Sequence, residues 1–227
     1  AGVAHEINNP LAVILGFTDL LKEKYEEGSD EYEDLKMIET NANNAKKIVE
    51  NLLGFARISE GTEDIVDVKD AIDTVSNIVT NTLLTKKINF ETKIPDDLPY
   101  VKGDAREFQQ VIFNLINNAM AVMKNEGGDL NISAEKANDM VRINVTDTGN
   151  GIPNRIKQQI FDPFFTTKKV GEGTGLGLSL CYGIVKKYGG SITFYSISKE
   201  DYPNSTPGTT FIVSMPVVDE KTDNDNK

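Results

Sequence analysis

The sequence predicts an α + α/β fold: an antiparallel helical hairpin that becomes a four-helix bundle on dimerisation, followed by an α/β two-layer sandwich. Three observations lead there. Two long apolar stripes at a 3.6-residue period flank the turn Gly28-Ser29-Asp30. Beyond the polar stretch ISEGTED (58–64), helical periods interleave with alternating strands. A glycine-rich segment over 149–175 then leads into a last helical run.

The first stripe comprises Val3, Ile7, Leu11, Ile14, Leu15, Leu20 and Leu21. Pro10 lies inside it and should bend the helix, because its ring removes a hydrogen-bond donor. Ser29 or Asp30 can cap the second helix, Glu31–Arg57, with Leu35, Ile38, Ala42, Ala45, Ile48, Val49, Leu52 and Phe55 in register. That helix should reach about 40 Å. A hairpin of this kind leaves an apolar face uncovered, and a second copy is the simplest cover, so a homodimer is expected. ISEGTED then separates a hairpin domain, 1–60, from a second domain, 61–218.

In the second domain IVDV reads as a short strand, Lys69–Leu84 as a helix, INFETKI as a strand and PDDLP as a turn cluster. Asp104 can cap a helix running to about Lys124. LNISAEKA, MVRINVTDTG, SITFYS and TTFIVSMP read as four more strands, mostly antiparallel, and 176–188 as the final helix. The tail 219–227 (DEKTDNDNK) is polar and acidic and should be disordered.

Composition excludes several classes. With 24 basic against 35 acidic residues the net charge is -11, the wrong sign for a general nucleic-acid surface. No apolar run approaches the roughly 20 residues of a membrane span, and no signal-peptide lead is present. A cytoplasmic location is expected, without membrane contact by these residues. The abrupt helical start suggests that upstream sequence, with any membrane anchor, is missing. The single cysteine, Cys181, excludes an internal disulfide and reads as a buried thiol in the run GLSLCYGIV.

Four stretches could carry chemistry. AHEINNPL (4–11) holds the only histidine, His5, followed by Glu6, Asn9 and Pro10. Taken alone, a lone histidine on an amphipathic helix is more often structural or solvated than a reacting group. DTGNGI (147–152) ends a strand with a carboxylate, Asp147, able to accept hydrogen bonds from an amine such as adenine N6. Gly149 and Gly151 would permit close backbone approach, though D-x-G-x-G also fits a plain tight turn. GEGTGLGL (171–178) places glycines at alternate positions before a helix, a cradle for phosphate. It matches neither the P-loop nor the Rossmann pattern. In QQVIFNLINNAMAVM (109–123), Asn114 and Asn118 share a helical face opposite the apolar one. An amide oxygen there could bind Mg2+, which needs few protein ligands; a solvated polar stripe is the alternative.

In this order the pieces resemble the bacterial two-component sensor histidine kinases. AHEINNPL is similar to the family's H box, NLINNA (114–119) to its N box and DTGNGI to its G1 box. FDPFFTTK (161–168) resembles the F box, GEGTGLGL the G2 box, and GTTF (208–211) the last nucleotide-contacting strand. The wording DPFFTTK and GTGLGL places it nearest the nitrogen-regulation sensors. The resemblance covers about residues 1–216 and implies a dimerisation and phosphotransfer hairpin joined to an ATP-binding domain of the gyrase and heat-shock type.

It also implies roles. His5 would take the γ-phosphoryl group of ATP on Nε2, Glu6 would hold the Nδ1 proton, and Asn9 would orient water in the reverse, phosphatase reaction. The phosphoryl group would pass to an aspartate of a response regulator. Asn118 would ligate Mg2+ and Asn114 would lie near the phosphates. Asp147 would accept from adenine N6, with the Thr209 hydroxyl beside it. Gly149, Gly151, Ile152, Gly173, Thr174, Gly175, Leu176 and Gly177 would shape the nucleotide pocket and a mobile cover over it. Phe161, Phe164 and Phe165 would dock that cover on the hairpin or fill the core, and Lys168 or Lys169 would reach phosphate. One position departs from the pattern: Ala121 stands where many members carry a basic phosphate contact. A scaffold that has lost catalysis and a plain ATP hydrolase are the two rival readings.

Overall fold

In the computed structural model, residues 2–56, 65–123, 126–168 and 173–218 are described, excepting the side chains of residues 2–6, 44 and 47–56. The expected boundary at 58–64, the helix end near Lys124 and the tail 219–227 lie outside them. The chain forms two units, residues 1–60 with 162–176, and residues 61–161 with 177–227.

The hairpin consists of α1 (Gly2–Lys22) and α2 (Asp30–Ala56). Gly28 adopts φ +94 in the connection, a conformation without steric cost only for glycine. Ser29 is the cap: its Oγ accepts from the Tyr32 N–H at 3.2 Å. Asp30, Glu31 and Glu33 then place negative charge on the positive end of the helix dipole. Across the hairpin, Lys22 Nζ meets Glu39 Oε2 at 2.6 Å. The helix continues through Pro10 without ending. Among its described side chains only Thr18 and Ala42 are buried. Val13, Phe17, Leu20, Met37 and Ile38 are all exposed, Phe17 by 63%.

The second unit begins with β1 (Ile65–Val66), α3 (Val68–Thr85), β2 (Ile88–Lys93) and β3 (Val101–Lys102). It continues through α4 (Ala105–Val122), β4 (Gly128–Ala137) and β5 (Met140–Asp147) to α5 (Gly177–Lys187), β6 (Ser191–Ile197) and β7 (Gly208–Pro216). Asp67 and Asp104 cap α3 and α4, accepting from Asp70 N–H at 3.0 Å and Glu107 N–H at 2.9 Å. The order β2-β4-β5-β7-β6 defines one five-stranded sheet, and β1 pairs with β3 separately. All pairs are antiparallel except β2 with β4, whose connection includes α4, the crossover a parallel pair requires.

Alternation along each strand puts one face in the core. Val111, Ile112, Leu115 and Ile116 of α4 are buried, as are Leu130, Ile132, Ile143, Val145 and Val213 of the sheet. The other face is polar, with Asn144 donating to Ser133 at 3.4 Å and Thr146 paired with Thr210 at 3.0 Å. Lys187 and Tyr188, at the end of α5, both bond the Glu107 carboxylate near the start of α4, fixing the two helices together. Cys181, fully buried on α5, sits 3.8 Å from the Val111 carbonyl, and burial pushes its thiol up to about 12.

Ile112 has no exposed surface, so its truncation leaves a cavity on the helix side of the sheet. Ile112→Ala should cost about 2–5 kcal/mol, measured by denaturant unfolding of the second unit.

Candidate functional site

The site develops at the end of β5, where the last residue of the strand is a buried acid. Asp147 is 5% exposed and occupies a core-facing position, where alternation would otherwise place a hydrophobe. Its register partner on β7 is Thr209, and the partner of Thr209 on β6 is Ser196. The three side chains form a row on the helix-covered face, all buried. Among the described residues no cation pairs with the carboxylate. Burial raises its pKa to about 6, against the N–H groups of Gly149 and Thr209, which favour the charged form.

The loop after β5 is fastened at both ends. Gly149 N–H donates to Asp147 Oδ1 at 2.9 Å, and Ile152 N–H to Ser196 Oγ at 2.8 Å. Between them Gly151 adopts φ +71, and a Cβ there would overlap the Ile197 carbonyl. A Cβ on Gly149 would overlap Val122 at the end of α4. At both positions the chain's own atoms leave no room for a Cβ, which accounts for glycine at 149 and 151.

Helix α4 supplies a second wall. Asn114 donates to the Gly177 carbonyl at 3.5 Å, tying α4 to the start of α5. Val122, two turns on, meets Gly149. Asn118 lies on the same face midway between them, half-buried. The face Asn114-Asn118-Val122 therefore runs from the first turn of α5 to the loop beside Asp147. A buried carboxylate stands at one end, and the first turn of α5 stands at the other.

Phe165, Lys168, Gly173, Thr174, Gly175 and Leu176 belong to the other unit. Gly175 has φ +67, and a Cβ on it would overlap the Phe164 backbone. Phe164 itself has φ +67 and is 57% exposed. Gly173 lies against Thr166 and Lys168, and the Leu176 N–H donates to Thr174 Oγ1 at 3.4 Å. Phe165 N–H donates to the Asp162 carbonyl at 3.2 Å.

The expected single cover over 149–175 needs correction. Its first part is anchored: Asn154 N–H donates to Asp201, Arg155 pairs with Glu200 at 3.0 Å, and Lys157 Nζ donates to the Ser196 carbonyl at 3.1 Å. Phe161 stacks with Tyr182 and Phe194 at centroid distances of 5.7 and 6.1 Å, a packing role within the second unit.

On the hairpin, His5, Glu6 and Asn9 fall within α1, with Asn9 exposed one turn after His5. The side chains of His5 and Glu6 are outside the described residues. Ser196 is the site residue that sequence reading missed. Its available signal was a polar residue on the core-facing parity of SITFYS, beside Ile192 and Phe194.

The raised pKa of Asp147 has a stability consequence with a definite sign. Between about pH 4 and 6 the folded chain binds more protons than the unfolded one, so stability falls as pH rises through that window. Above about pH 6 the full penalty is present, on the order of 3 kcal/mol. Asp147→Asn should therefore raise the Tm at pH 7.5 and make little difference at pH 4, measured by thermal unfolding without nucleotide.

Two family models match the chain in sequence. Residues 1–61 match the His Kinase A (phospho-acceptor) domain, and residues 103–219 the histidine kinase-, DNA gyrase B- and HSP90-like ATPase. The sensor kinase CckA of Brucella abortus is 37% identical over 97% of this chain and 24% of its own length. Sporulation kinase A of Bacillus subtilis is 33% identical over 95% of the chain and 34% of its own. The chain thus spans about a quarter to a third of these relatives. Among solved structures, histidine kinase ThkA in complex with response regulator protein TrrA is 28% identical with a TM-score of 0.66, covering 97% of this chain and 61% of that one. Full-length ShkA in complex with AMPPNP has a TM-score of 0.73 at 23% identity, covering 96% and 45%, a likeness of fold. With a phospho-acceptor domain and an ATPase domain in this order, the chain belongs to the histidine kinase family, as the catalytic core of a two-component kinase.

Proposed function

We propose that the chain transfers the γ-phosphoryl group of ATP to His5 and then to an aspartate of a response regulator. The observation that carries this reading is the arrangement in the second unit: a buried amine acceptor at Asp147, a half-buried amide at Asn118 and a helix start at Gly177 along one face of α4. Adenine would place its N6 amine on Asp147 beside Thr209, and the phosphates would reach toward the N–H groups of α5. The ShkA complex with AMPPNP supports a nucleotide in this fold, and the ThkA complex with TrrA supports a response-regulator partner.

In the transfer His5 Nε2 attacks the γ-phosphorus, a P–N bond forms, and the bond to the bridging oxygen breaks as ADP departs with the electron pair. Glu6 holds the Nδ1 proton and so keeps the Nε2 lone pair free. Among the described residues no group of three His, Cys, Asp or Glu side chains could hold a metal. Mg2+ would arrive with the phosphates and take one protein oxygen, from Asn118. Bound there, Mg2+ supplies positive charge against the phosphates, the more needed because Ala121 offers none. Lys168, Gly173, Thr174, Gly175 and Leu176 would complete the phosphate side, with Ile152 and Phe165 as apolar contacts. Asn9 would position water for dephosphorylation.

A second copy of the hairpin is the partner that its surface supports. A groove of about 530 Å3 between α1 and α2 is lined by Leu11, Ile14, Met37, Ile38, Ala42 and Ala45 with two polar residues. Such a face needs cover in water, and pairing of two hairpins into a four-helix bundle provides it. No described helix is long and apolar enough to cross a membrane. The motif wording DPFFTTK and GTGLGL supports the nitrogen-regulation-like branch.

Incubation with γ-labelled ATP and Mg2+ tests the reading. Acid-labile, alkali-stable label on the chain, lost in His5→Ala and transferable to a receiver domain, is expected. Free phosphate with no label on the chain would instead mark a plain ATP hydrolase. No turnover together with nucleotide binding would mark a scaffold.

A further inference from the structure

The buried row Asp147-Thr209-Ser196 carries more than a packing role, because a Ser196 hydroxyl that donates to the Gly208 carbonyl sets the direction of the hydroxyl chain. Ser196 Oγ accepts from the Ile152 N–H at 2.8 Å, lies 3.0 Å from the Gly208 carbonyl oxygen and 2.9 Å from Thr209 Oγ1. A hydroxyl has one proton and two lone pairs. The Gly208 carbonyl can only accept, so the Ser196 proton satisfies it. The two Ser196 lone pairs then take the Ile152 N–H and the Thr209 hydroxyl proton. Thr209 Oγ1 is left with lone pairs alone, next to the Asp147 carboxylate, which takes the Thr209 N–H. Both groups at this end of the site are therefore acceptors.

We propose that Ser196 is a positioning residue which holds Thr209 as a hydrogen-bond acceptor and so makes the site select 6-amino over 6-oxo purine nucleotides. The inference rests on the reading that adenine sits at Asp147. An amine meets two acceptors there, whereas a 6-oxo group meets lone pairs with its own lone pairs, an unpaired contact in a buried place. Without the Ser196 hydroxyl, Thr209 can rotate and donate to a 6-oxo group. The Ile152 N–H also loses its acceptor, loosening the loop around Gly151.

The test is the ratio of dissociation constants for Mg-ATP and Mg-ITP, measured by calorimetry on the full chain. The native chain should favour ATP. Ser196→Ala should weaken ATP by about five-fold or more, the worth of one buried hydrogen bond, and ITP by less, narrowing the ratio. Thr209→Val should narrow it too, and the double variant no further than Thr209→Val alone, whereas Thr209→Ser should keep it. Equal weakening of both nucleotides in Ser196→Ala, or additive effects in the double variant, would reduce Ser196 to a structural residue. If Ser196→Ala does not fold, Ser196→Cys and the Thr209 pair still decide, since loss of the ratio in Thr209→Ser overturns the proposal. Asp147→Ala separates the layers. Undiminished ATP affinity there overturns the adenine reading itself, while lost affinity with an unchanged Ser196→Ala ratio overturns only the role of Ser196.

Discussion

The second unit is organised around a carboxylate kept out of water. A buried charge without a partner is costly, and Asp147 offsets part of that cost with two backbone N–H groups. The donors dictate the local chain path. Gly149 has to turn back over the acid, which presses it against Val122, and Gly151 has to cross the Ile197 carbonyl, which forbids a side chain. The hydroxyls of Thr209 and Ser196 complete the row on neighbouring strands. The geometry of the loop is thus a consequence of satisfying one acid.

The two units answer different physical problems. The second is self-sufficient: α3, α4 and α5 cover one face of a five-stranded sheet whose alternation puts hydrophobes inward and Ser, Thr and Asn outward. The hairpin is not, because two helices share one contact line and expose the remainder of their apolar surface.

Much of this was legible in the residues. The 3.6-residue stripes located both hairpin helices, and period-2 runs located the strands, because burial on one face imposes those periods whatever the detailed packing. Asp67 and Asp104 announced the starts of α3 and α4 through cap chemistry that is local to four residues. The glycines of DTGNGI were visible as points of close approach, but what they approach was not. Less legible was Phe161, written into a motif yet stacked on Tyr182 and Phe194, since its partners lie about 20 to 30 residues away along the chain. The division of the glycine-rich segment into an anchored part and a separate part also depends on the distant β6–β7 connection, through Glu200 and Asp201.

By itself the sequence determined the two-part architecture, the apolar face of the hairpin and the family, because these follow from periodicity, local turn chemistry and ordered motifs. Only the tertiary structure decided the register that aligns Asp147, Thr209 and Ser196, and the meeting of Asn114 with Gly177 and of Gly149 with Val122. The reason is physical: strand pairing and helix docking set distances between residues remote in sequence, and hydrogen bonds that orient a hydroxyl or raise a pKa exist only once those distances are set.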